Sequence, residues 1–143
     1  MYVETILKTK GGNVATVPPD ETVTNAAARM KKDRIGALVV SVDGRAALGI
    51  LSERDISRAV ADHAAGLVTM RVEELMSRDV VTCAPDDTIA DIMAMMTDKR
   101  FRHVPVMKDG AMCGVISIGD VVKYRLEEVE HETVTMREYI AGG

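Results

Sequence analysis

The sequence predicts an α/β protein built from two copies of one β-α-β-β-α unit, and an internal repeat is the first reason. Segments 14–56 and 80–121 align at an offset of 66 positions, which falls to 65 after the Asp-Gly pair. Eight identities mark the alignment: Thr16, Pro19, Asp20, Thr22, Met30, Arg34, Asp43 and Gly44 recur as Thr82, Pro85, Asp86, Thr88, Met96, Arg100, Asp109 and Gly110. At an offset of 65, three more residues, Gly49, Ser52 and Asp55, recur as Gly114, Ser117 and Asp120. Repeats of this kind are single supersecondary units that pack on each other.

The second reason is that both copies carry the same order of β and α patterns. Each begins with a short β-forming run, Val14–Val17 or Val80–Cys83, which ends at proline. A helix is predicted next, because apolar residues recur at helical spacing from Val23 and from Ile89. The candidate capping residues of these helices are Asp20 or Thr22 and Asp86 or Thr88.

Each unit closes with a hairpin and a second helix. An Asp-Gly pair between two β-forming runs is a strong hairpin signal. The predicted strands are Ala37–Val42 with Ala47–Leu51, and His103–Met107 with Met112–Ile116. The second helices run from about Glu53 to Ala64 and from about Gly119 to Glu130.

These patterns divide the chain into three segments. The first repeat with its N-terminal entry segment covers residues 1–66, the second repeat covers 67–130, and a tail covers 131–143. The tail carries the apolar residues Val134, Met136, Tyr139 and Ile140. It is interpreted either as an extra helix or strand that packs on a partner, or as a frayed end.

Composition and charge argue against several classes of function. The formal net charge of −4 does not fit the broad basic surface of a nucleic-acid-binding protein. No apolar run approaches the ~18 residues of a membrane span, and residues 1–12 lack the apolar core of a signal peptide. A cytoplasmic protein without membrane association is therefore predicted. Cys83 and Cys113 match neither a metal-ligand spacing nor a disulfide framework, so reduced thiols and no metal site are expected.

The candidate chemistry lies where a strand runs into a helix, in Gly49-Ile-Leu-Ser52-Glu-Arg-Asp55 and Gly114-Val-Ile-Ser117-Ile-Gly-Asp120. A helix N-terminus offers unpaired N–H groups and a positive dipole end to a phosphate. An Asp one turn later can accept two hydrogen bonds from a ribose diol, as acidic residues do in dinucleotide folds. The same Ser and Asp are also close to a capping box, which is a purely structural role. Both interpretations stay open at this point.

The repeat resembles the cystathionine-β-synthase (CBS) domain, and two in tandem resemble a Bateman module. The resemblance covers about residues 2–127 and is carried by Gly-Ile-Leu-Ser-Glu-Arg-Asp, Arg-Phe-Arg-His-Val-Pro-Val and Gly-Val-Ile-Ser-Ile-Gly-Asp. It implies two pseudo-symmetric CBS repeats packed through their sheets, with two clefts between them. Such clefts commonly take AMP, ADP, ATP, S-adenosylmethionine or NAD(H). The resemblance also implies that two modules pair into a flat, disc-like homodimer.

Carried over onto this chain, the resemblance implies a main cleft in which Ser117 meets phosphate and Asp120 meets ribose. Ile116 would lie near the base, with Arg102 and His103 near the phosphates. The predicted set is Asn13, Val14, Ala15, Thr16, Gly36, Ala37, Arg102, His103, Pro105, Ile116, Ser117, Gly119 and Asp120. The entry segment that carries Lys8 and Lys10 would pass near this cleft, but both lysines are predicted to be ordinary exposed residues.

A mirrored second cleft, closed by Val81-Thr82 and the Arg102–Val104 segment, is also implied. Its predicted set is Leu51, Ser52, Arg54, Asp55, Val81, Thr82 and Val104. The copies differ where each cleft is closed. Gly36-Ala37 is small enough for a base to approach, whereas the matching pair is Arg102-His103. The Asp120 cleft is therefore predicted to be the stronger site.

The sequence thus predicts a regulatory module that binds AMP, ADP, ATP or NAD(H), has no obligatory cofactor, and signals ligand state to an unidentified protein target. An enzyme is not expected, since no catalytic triad, nucleophile elbow or metal cluster is apparent. A catalytic barrel would need ~250 residues. The alternative is a dimeric structural or interaction module whose nucleotide clefts are vestigial.

Overall fold

The computed structural model describes residues 1–142, and its elements follow the predicted order in the first repeat and, apart from the first strand, in the second, with a short helix before each repeat. The first half contains α1 (Val3–Lys10), β1 (Thr16–Val17), α2 (Val23–Asp33), β2 (Ala37–Val40), β3 (Gly49–Ser52) and α3 (Glu53–His63). A 3₁₀ helix, Ala64–Thr69, leads to the second half. That half contains α4 (Val72–Leu75), α5 (Ile89–Lys99), β4 (His103–Lys108), β5 (Ala111–Ser117) and α6 (Ile118–Gly142).

The threonines, rather than the preceding aspartates, cap the first helix of each repeat. Thr22 Oγ1 accepts a hydrogen bond from the Asn25 amide at 3.2 Å, and Thr88 Oγ1 accepts one from the Asp91 amide at 3.1 Å. Such a bond satisfies one of the four amide groups that a helix N-terminus leaves without a partner. The two caps therefore fix equivalent start points for α2 and α5.

The first hairpin is shorter than predicted. β1 pairs in parallel with β2, and β2 pairs antiparallel with β3, but residues 41–48 lie outside the strands. Ser41 and Asp43 cause this, because their side chains bind loop amides that a longer ladder would otherwise use. Asp43 Oδ1 accepts from the Arg45 amide at 2.8 Å, and Ser41 Oγ accepts from the Gly44 amide at 3.0 Å.

The second hairpin is slightly longer than predicted and turns tightly. β4 and β5 pair antiparallel with a bulge after Val106. Asp109 and Gly110 both have positive φ, 53° and 77°, as a two-residue type I′ turn requires. The Asp-Gly pair thus produces different turns in the two copies.

The strand predicted over Val80–Cys83 is wrong for most of its length. Only Cys83 pairs, through one parallel bridge to Val106 on β4. The Val80 amide instead donates to the Arg78 carbonyl at 3.0 Å, so it does not take part in a ladder with β4. The β1 prediction is likewise shortened to Thr16–Val17.

Each short entry helix packs against the repeat that it does not precede. Val3 and Ile6 of α1 are fully buried in a core with residues of the second repeat, among them Ile89, Met96 and Ile116. The Val3 amide donates to the Asp87 carbonyl at 2.9 Å. The beginning of the chain is therefore part of the second core.

The linker between the repeats packs in the corresponding way: α4, which precedes the second repeat, lies in the core of the first. Val72 of α4 and the following Met76 lie in a core with Val17, Leu38 and Leu51 of the first repeat. The Val72 amide donates to the Glu21 carbonyl at 2.8 Å. Together the two exchanges tie each repeat to a segment from the other half of the molecule.

The last helix continues through the predicted tail. α6 runs for 25 residues, so tail residues 131–142 continue the last helix of the second repeat instead of forming a separate element, and the packing of this tail on a partner stays a prediction. Gly143, the last residue of that tail, lies outside the described residues. Within residues 1–142, no helix is both long enough and apolar enough to cross a membrane.

Candidate functional site

The Ser and Asp of the repeated motif form capping boxes at the start of α3 and α6. Ser117 Oγ accepts from the Asp120 amide at 3.2 Å, and Asp120 Oδ2 accepts from the Ser117 amide at 2.9 Å. Ser52 and Asp55 make the same two contacts at 3.2 Å and 2.9 Å. The structural role of the motif is therefore present in both copies.

Lys10 makes the two copies different. It ends α1, and because α1 packs on the second repeat, its Nζ reaches Asp120 Oδ2 at 2.7 Å and the Val115 carbonyl oxygen at 2.9 Å. Among residues 1–142, Asp55 makes no ion pair of this kind. Lys10 was expected to be an ordinary exposed residue, since the residues that it contacts lie more than a hundred positions away.

The Asp120 carboxylate is held ionised. Partial burial opposes ionisation, but the hydrogen bonds from Lys10 and from the Ser117 amide, together with the Lys10 charge, lower the pKa of Asp120 below its ordinary value. All of these donors meet Oδ2, which leaves Oδ1 as the oxygen that can accept a hydrogen bond from a bound molecule. The carboxylate is thus an acceptor already oriented at a helix N-terminus.

A cleft of about 380 Å³ lies beside this carboxylate, between the two repeats. Its lining includes six of the predicted main-site residues, Asn13, Ala15, Gly36, Ala37, His103 and Ser117. It also includes residues that the sequence did not assign: Lys10, Arg34, Ile35, Leu38, Val39, Ile50 and Val115. Asp120 adjoins the cleft through its contacts with Ser117 and Lys10.

The remaining main-site residues lie elsewhere. Ile116 is 0% exposed and packs in the second core, and Val115 takes its place in the cleft, because neighbouring residues of a strand point to opposite faces. Arg102 lines the second cleft instead of the first. Outside the lining of the main cleft lie the last four predicted residues, Val14, Thr16, Pro105 and Gly119.

The second cleft, of about 370 Å³, contains Ser52, Arg54 and Asp55 as predicted. Leu51 and Val104 are 0% exposed in the cores, while Val81 and Thr82 do not line the cleft. Arg102 and His103, from the segment expected to close this cleft, also line it, as does Gly36 of the predicted main site. The lining residues that the sequence did not assign to either cleft are Ile50, Glu53, Arg58, Ser77, Asp79, Lys99, Arg100 and Phe101. Its lining carries five Lys and Arg side chains and three carboxylates, a net charge of +2, which equals that of Lys10 and Arg34 in the main cleft.

The two clefts meet at Gly36, Ile50 and His103, which line both. Burial, followed by the nearby positive charge of Lys10, lowers the pKa of His103, so its imidazole is neutral near pH 7. A Cβ placed on Gly36 would lie 3.8 Å from Glu53 Oε2 and 3.9 Å from His103 Nε2. A side chain at this position would therefore fit the fold but enter both clefts.

Metal chemistry gains no support from the described part of the chain. In residues 1–142, no three His, Cys, Asp or Glu side chains lie close enough together to hold a metal ion. Burial raises the pKa of the Cys83 thiol to about 12, so this cysteine stays protonated.

Comparison with known proteins identifies the family. The model of the CBS domain matches residues 3–62 and 72–127. The CBS domain-containing protein CBSX3, mitochondrial, of Arabidopsis thaliana is 34% identical over 99% of this chain and 72% of its own length. The crystal structure of the CBS-domain containing protein ATU1752 from Agrobacterium tumefaciens has a TM-score of 0.83 at 42% identity, covering 87% of this chain and 99% of that one.

A more distant structure shares the fold. The CBS domain pair of protein MJ0100, in complex with 5′-methylthioadenosine and S-adenosyl-L-methionine, has a TM-score of 0.77 at 22% identity and covers 90% of this chain and 98% of that one. At this identity the likeness concerns the fold alone. We conclude from the family match, the duplicated motif and the two clefts that the chain belongs to the CBS domain family and carries two CBS domains in tandem.

Proposed function

We propose that this CBS-domain pair is a regulatory module that binds an adenine nucleotide, AMP, ADP, ATP or NAD(H), in the main cleft and is not an enzyme. The observation that carries the proposal is the ionised Asp120 carboxylate, held at the N-terminus of α6 beside a cleft that two repeats line. A carboxylate with a free oxygen suits a ribose diol, and the helix N-terminus next to it suits a phosphate.

The cleft offers complementary surfaces for the other parts of such a ligand. Ala37, Ile50 and Val115 provide apolar walls for a flat base, and Gly36 leaves additional space in the cleft because it has no side chain. Lys10 supplies a positive charge near the Asp120 carboxylate. A volume of about 380 Å³ lies within the range of about 300 to 1,000 Å³ for small-molecule sites.

Calorimetry on nucleotide-free protein tests the proposal. We expect at least one of AMP, ADP, ATP, NAD⁺ and NADH to bind with micromolar to submillimolar affinity, about −8 to −5 kcal/mol. Mass spectrometry of the supernatant from denatured, freshly purified protein would identify a ligand retained from the cell. No heat with any of the five and no released nucleotide would contradict the proposal and favour vestigial clefts.

Gly36→Val is expected to weaken adenine-nucleotide binding by at least about tenfold, because the new side chain enters the space that the ligand needs. Its Cβ makes only ordinary contacts of 3.8 Å and 3.9 Å, so the free energy of unfolding is expected to change by under about 1 kcal/mol. Calorimetry and urea denaturation measure the two effects separately. Gly66→Val is the matched control, since Gly66 is exposed outside both clefts; equal binding by the two variants would place the ligand elsewhere.

Lys10→Met is expected to tighten adenosine binding by about two- to fivefold, which matches the 0.2–1 kcal/mol typical of an exposed ion pair. In the unliganded protein Lys10 binds Oδ2 of the Asp120 carboxylate and leaves Oδ1 free, so a ribose diol that donates to both oxygens competes with Lys10 for Oδ2. ADP should gain less than adenosine, because the same substitution removes a positive charge near its phosphates. Calorimetry with both ligands measures the difference. Lys8→Met, two residues earlier on α1, is the control, and weaker adenosine binding by Lys10→Met would mean that Lys10 helps to hold the ribose.

Regulation requires that the ligand bind two states of the module with different affinity. The contact between α1 and the second repeat is a candidate for the element that responds, because Lys10 links it directly to the proposed ribose site. A protein target, a disc-like homodimer and a cytoplasmic location remain predictions.

One alternative has a specific observation in its favour. The capping boxes account for Ser52, Asp55, Ser117 and Asp120 without any ligand. A structural or interaction module with vestigial clefts would therefore keep the same motif. The calorimetric test above distinguishes the two functions.

A further inference from the structure

The C-terminal half of α6 carries a stripe of apolar side chains that are exposed to solvent in the single chain. Leu126, Val129, Met136 and Ile140 are 58%, 43%, 61% and 71% exposed. All residues from His131 to Gly142 are exposed, and the stripe lies almost entirely beyond residue 127, where the match to the CBS domain ends. Soluble monomers seldom expose a continuous apolar surface of this kind.

The spacing of the stripe is that of a coiled coil. Leu126, Val129, Thr133, Met136 and Ile140 follow one another at intervals of three, four, three and four residues. This is the a/d pattern of two heptads, with Thr133 as the one polar member, and it spans about 22 Å of helix. The helix already exists in the single chain and is anchored at its start by the Ser117 cap and by buried Val121, so pairing need not first fold it.

The flanking charges select the partner. In this register Arg125 and Glu132 occupy g positions, and Glu130 and Arg137 occupy e positions. In a parallel pair each g residue faces the e residue five positions later on the other helix. Arg125 then faces Glu130 of the second copy, and Glu132 faces Arg137 of the second copy, so both contacts are attractive. An antiparallel pair centred near residue 131 would bring the two Glu132 side chains together.

We propose that residues 126–140 of α6 pair in parallel with the same residues of a second copy of this chain, forming a short two-stranded coiled coil. The pairing does not depend on nucleotide binding. Arg125 also contacts Glu128 of its own helix at 2.9 Å, whereas Glu132 and Arg137 make no ion pair within residues 1–142. The contact between Glu132 and Arg137 is therefore the one that gives the pair its direction.

Sedimentation of the full-length protein tests the surface. We expect a dimer whose dissociation constant Met136→Asp raises about 100-fold, because a charge enters the apolar seam. Val134→Asp is the matched control: Val134 is 50% exposed on the same helix but lies off the stripe, so the dimer should be unchanged. Circular dichroism checks that both variants keep their helix. A monomer at about 100 µM, or equal effects of the two aspartates, overturns the proposal.

Charge reversal tests the direction of pairing. Glu132→Lys and Arg137→Glu should each weaken the dimer about tenfold, since each turns two attractions into repulsions, and the double variant should recover the wild-type affinity. In a Cys113→Ser background, which removes the partly exposed native thiol, Met136→Cys should form a disulfide-linked dimer on oxidation. Absence of recovery in the double variant, or of the crosslink in a confirmed dimer, contradicts a parallel coil.

Discussion

Asp120→Ala is expected to weaken the binding of ribose-containing adenine nucleotides by about 10- to 100-fold, since hydrogen bonds to a charged group are worth about 1.5–3 kcal/mol each. Asp55→Ala is expected to cost much less in affinity. The two residues have the same role in equivalent capping boxes, so the structural cost of the two substitutions should be similar. They differ in that Asp120 lies beside the cleft closed by Gly36-Ala37 and is held ionised with help from Lys10.

Calorimetry with adenosine and with its 2′,3′-dideoxy analogue isolates the ribose contact. The wild-type protein should lose as much affinity on removal of the two hydroxyls as it loses on Asp120→Ala. The Asp120→Ala variant should no longer distinguish the two ligands, because in a double-mutant cycle the interaction is lost only once. Equal losses from Asp55→Ala and Asp120→Ala would contradict the asymmetry between the clefts.

The parts of the site that depend on local structure were predictable from the sequence. A Ser-x-x-Asp pattern at a strand-to-helix junction places its own side chains, and both copies form the expected capping box. The choice of Ile116 and Leu51 as walls for the base was wrong, although the alternation of side chains along a strand could have corrected it. Their neighbours Val115 and Ile50 line the clefts, while both chosen residues are fully buried.

The parts that depend on tertiary structure were not predictable in this way. Lys10 reaches Asp120 only because α1 packs on the second repeat, and no local pattern near Lys10 reports that exchange. Arg102 is expected both near the phosphates of the main cleft and in the segment that closes the second cleft, and the packing of the repeats places it only in the lining of the second. Likewise, the length of the first hairpin depends on the side-chain contacts of Asp43, which compete with the strand ladder.

The exchange of entry helices links stability to the proposed ligand site. The two repeats share their cores with each other's entry segments, and the Asp120 carboxylate is held by one of those segments. A ligand that displaces Lys10 therefore acts on an element that also stabilises the second core. In this module of 143 residues, a change at the cleft is therefore coupled to the packing of α1 on the second core.

Gly49→Ala is expected to lower the free energy of unfolding by about 3 kcal/mol, and Gly114→Ala by about 1 kcal/mol, within the range for overpacked cores. Both glycines face an exchanged entry segment. A Cβ on Gly49 would lie 2.6 Å from Met76 Sδ and 2.8 Å from the Ser77 carbonyl oxygen, whereas a Cβ on Gly114 would lie 2.4 Å from Leu7 Cδ2. The Ser77 oxygen is backbone, fixed by a hydrogen bond from the Ile50 amide at 3.0 Å, while a leucine methyl group can rotate away. Urea denaturation of both variants measures the difference.

Second-site variants separate the two causes. In the presence of Leu7→Ala, the Gly114→Ala substitution should cost almost nothing further, because the only close contact has been removed. In the presence of Met76→Ala, most of the cost of Gly49→Ala should remain, since the Ser77 carbonyl still blocks the new methyl group. Gly66→Ala, at an exposed position with its nearest neighbour 4.0 Å away, is the control for the effect of alanine on the unfolded chain. If Gly49→Ala and Gly114→Ala lower the free energy of unfolding equally, the backbone at Ser77 moves as easily as the Leu7 side chain. The segment after α4 would then be held less firmly than its hydrogen bonds indicate.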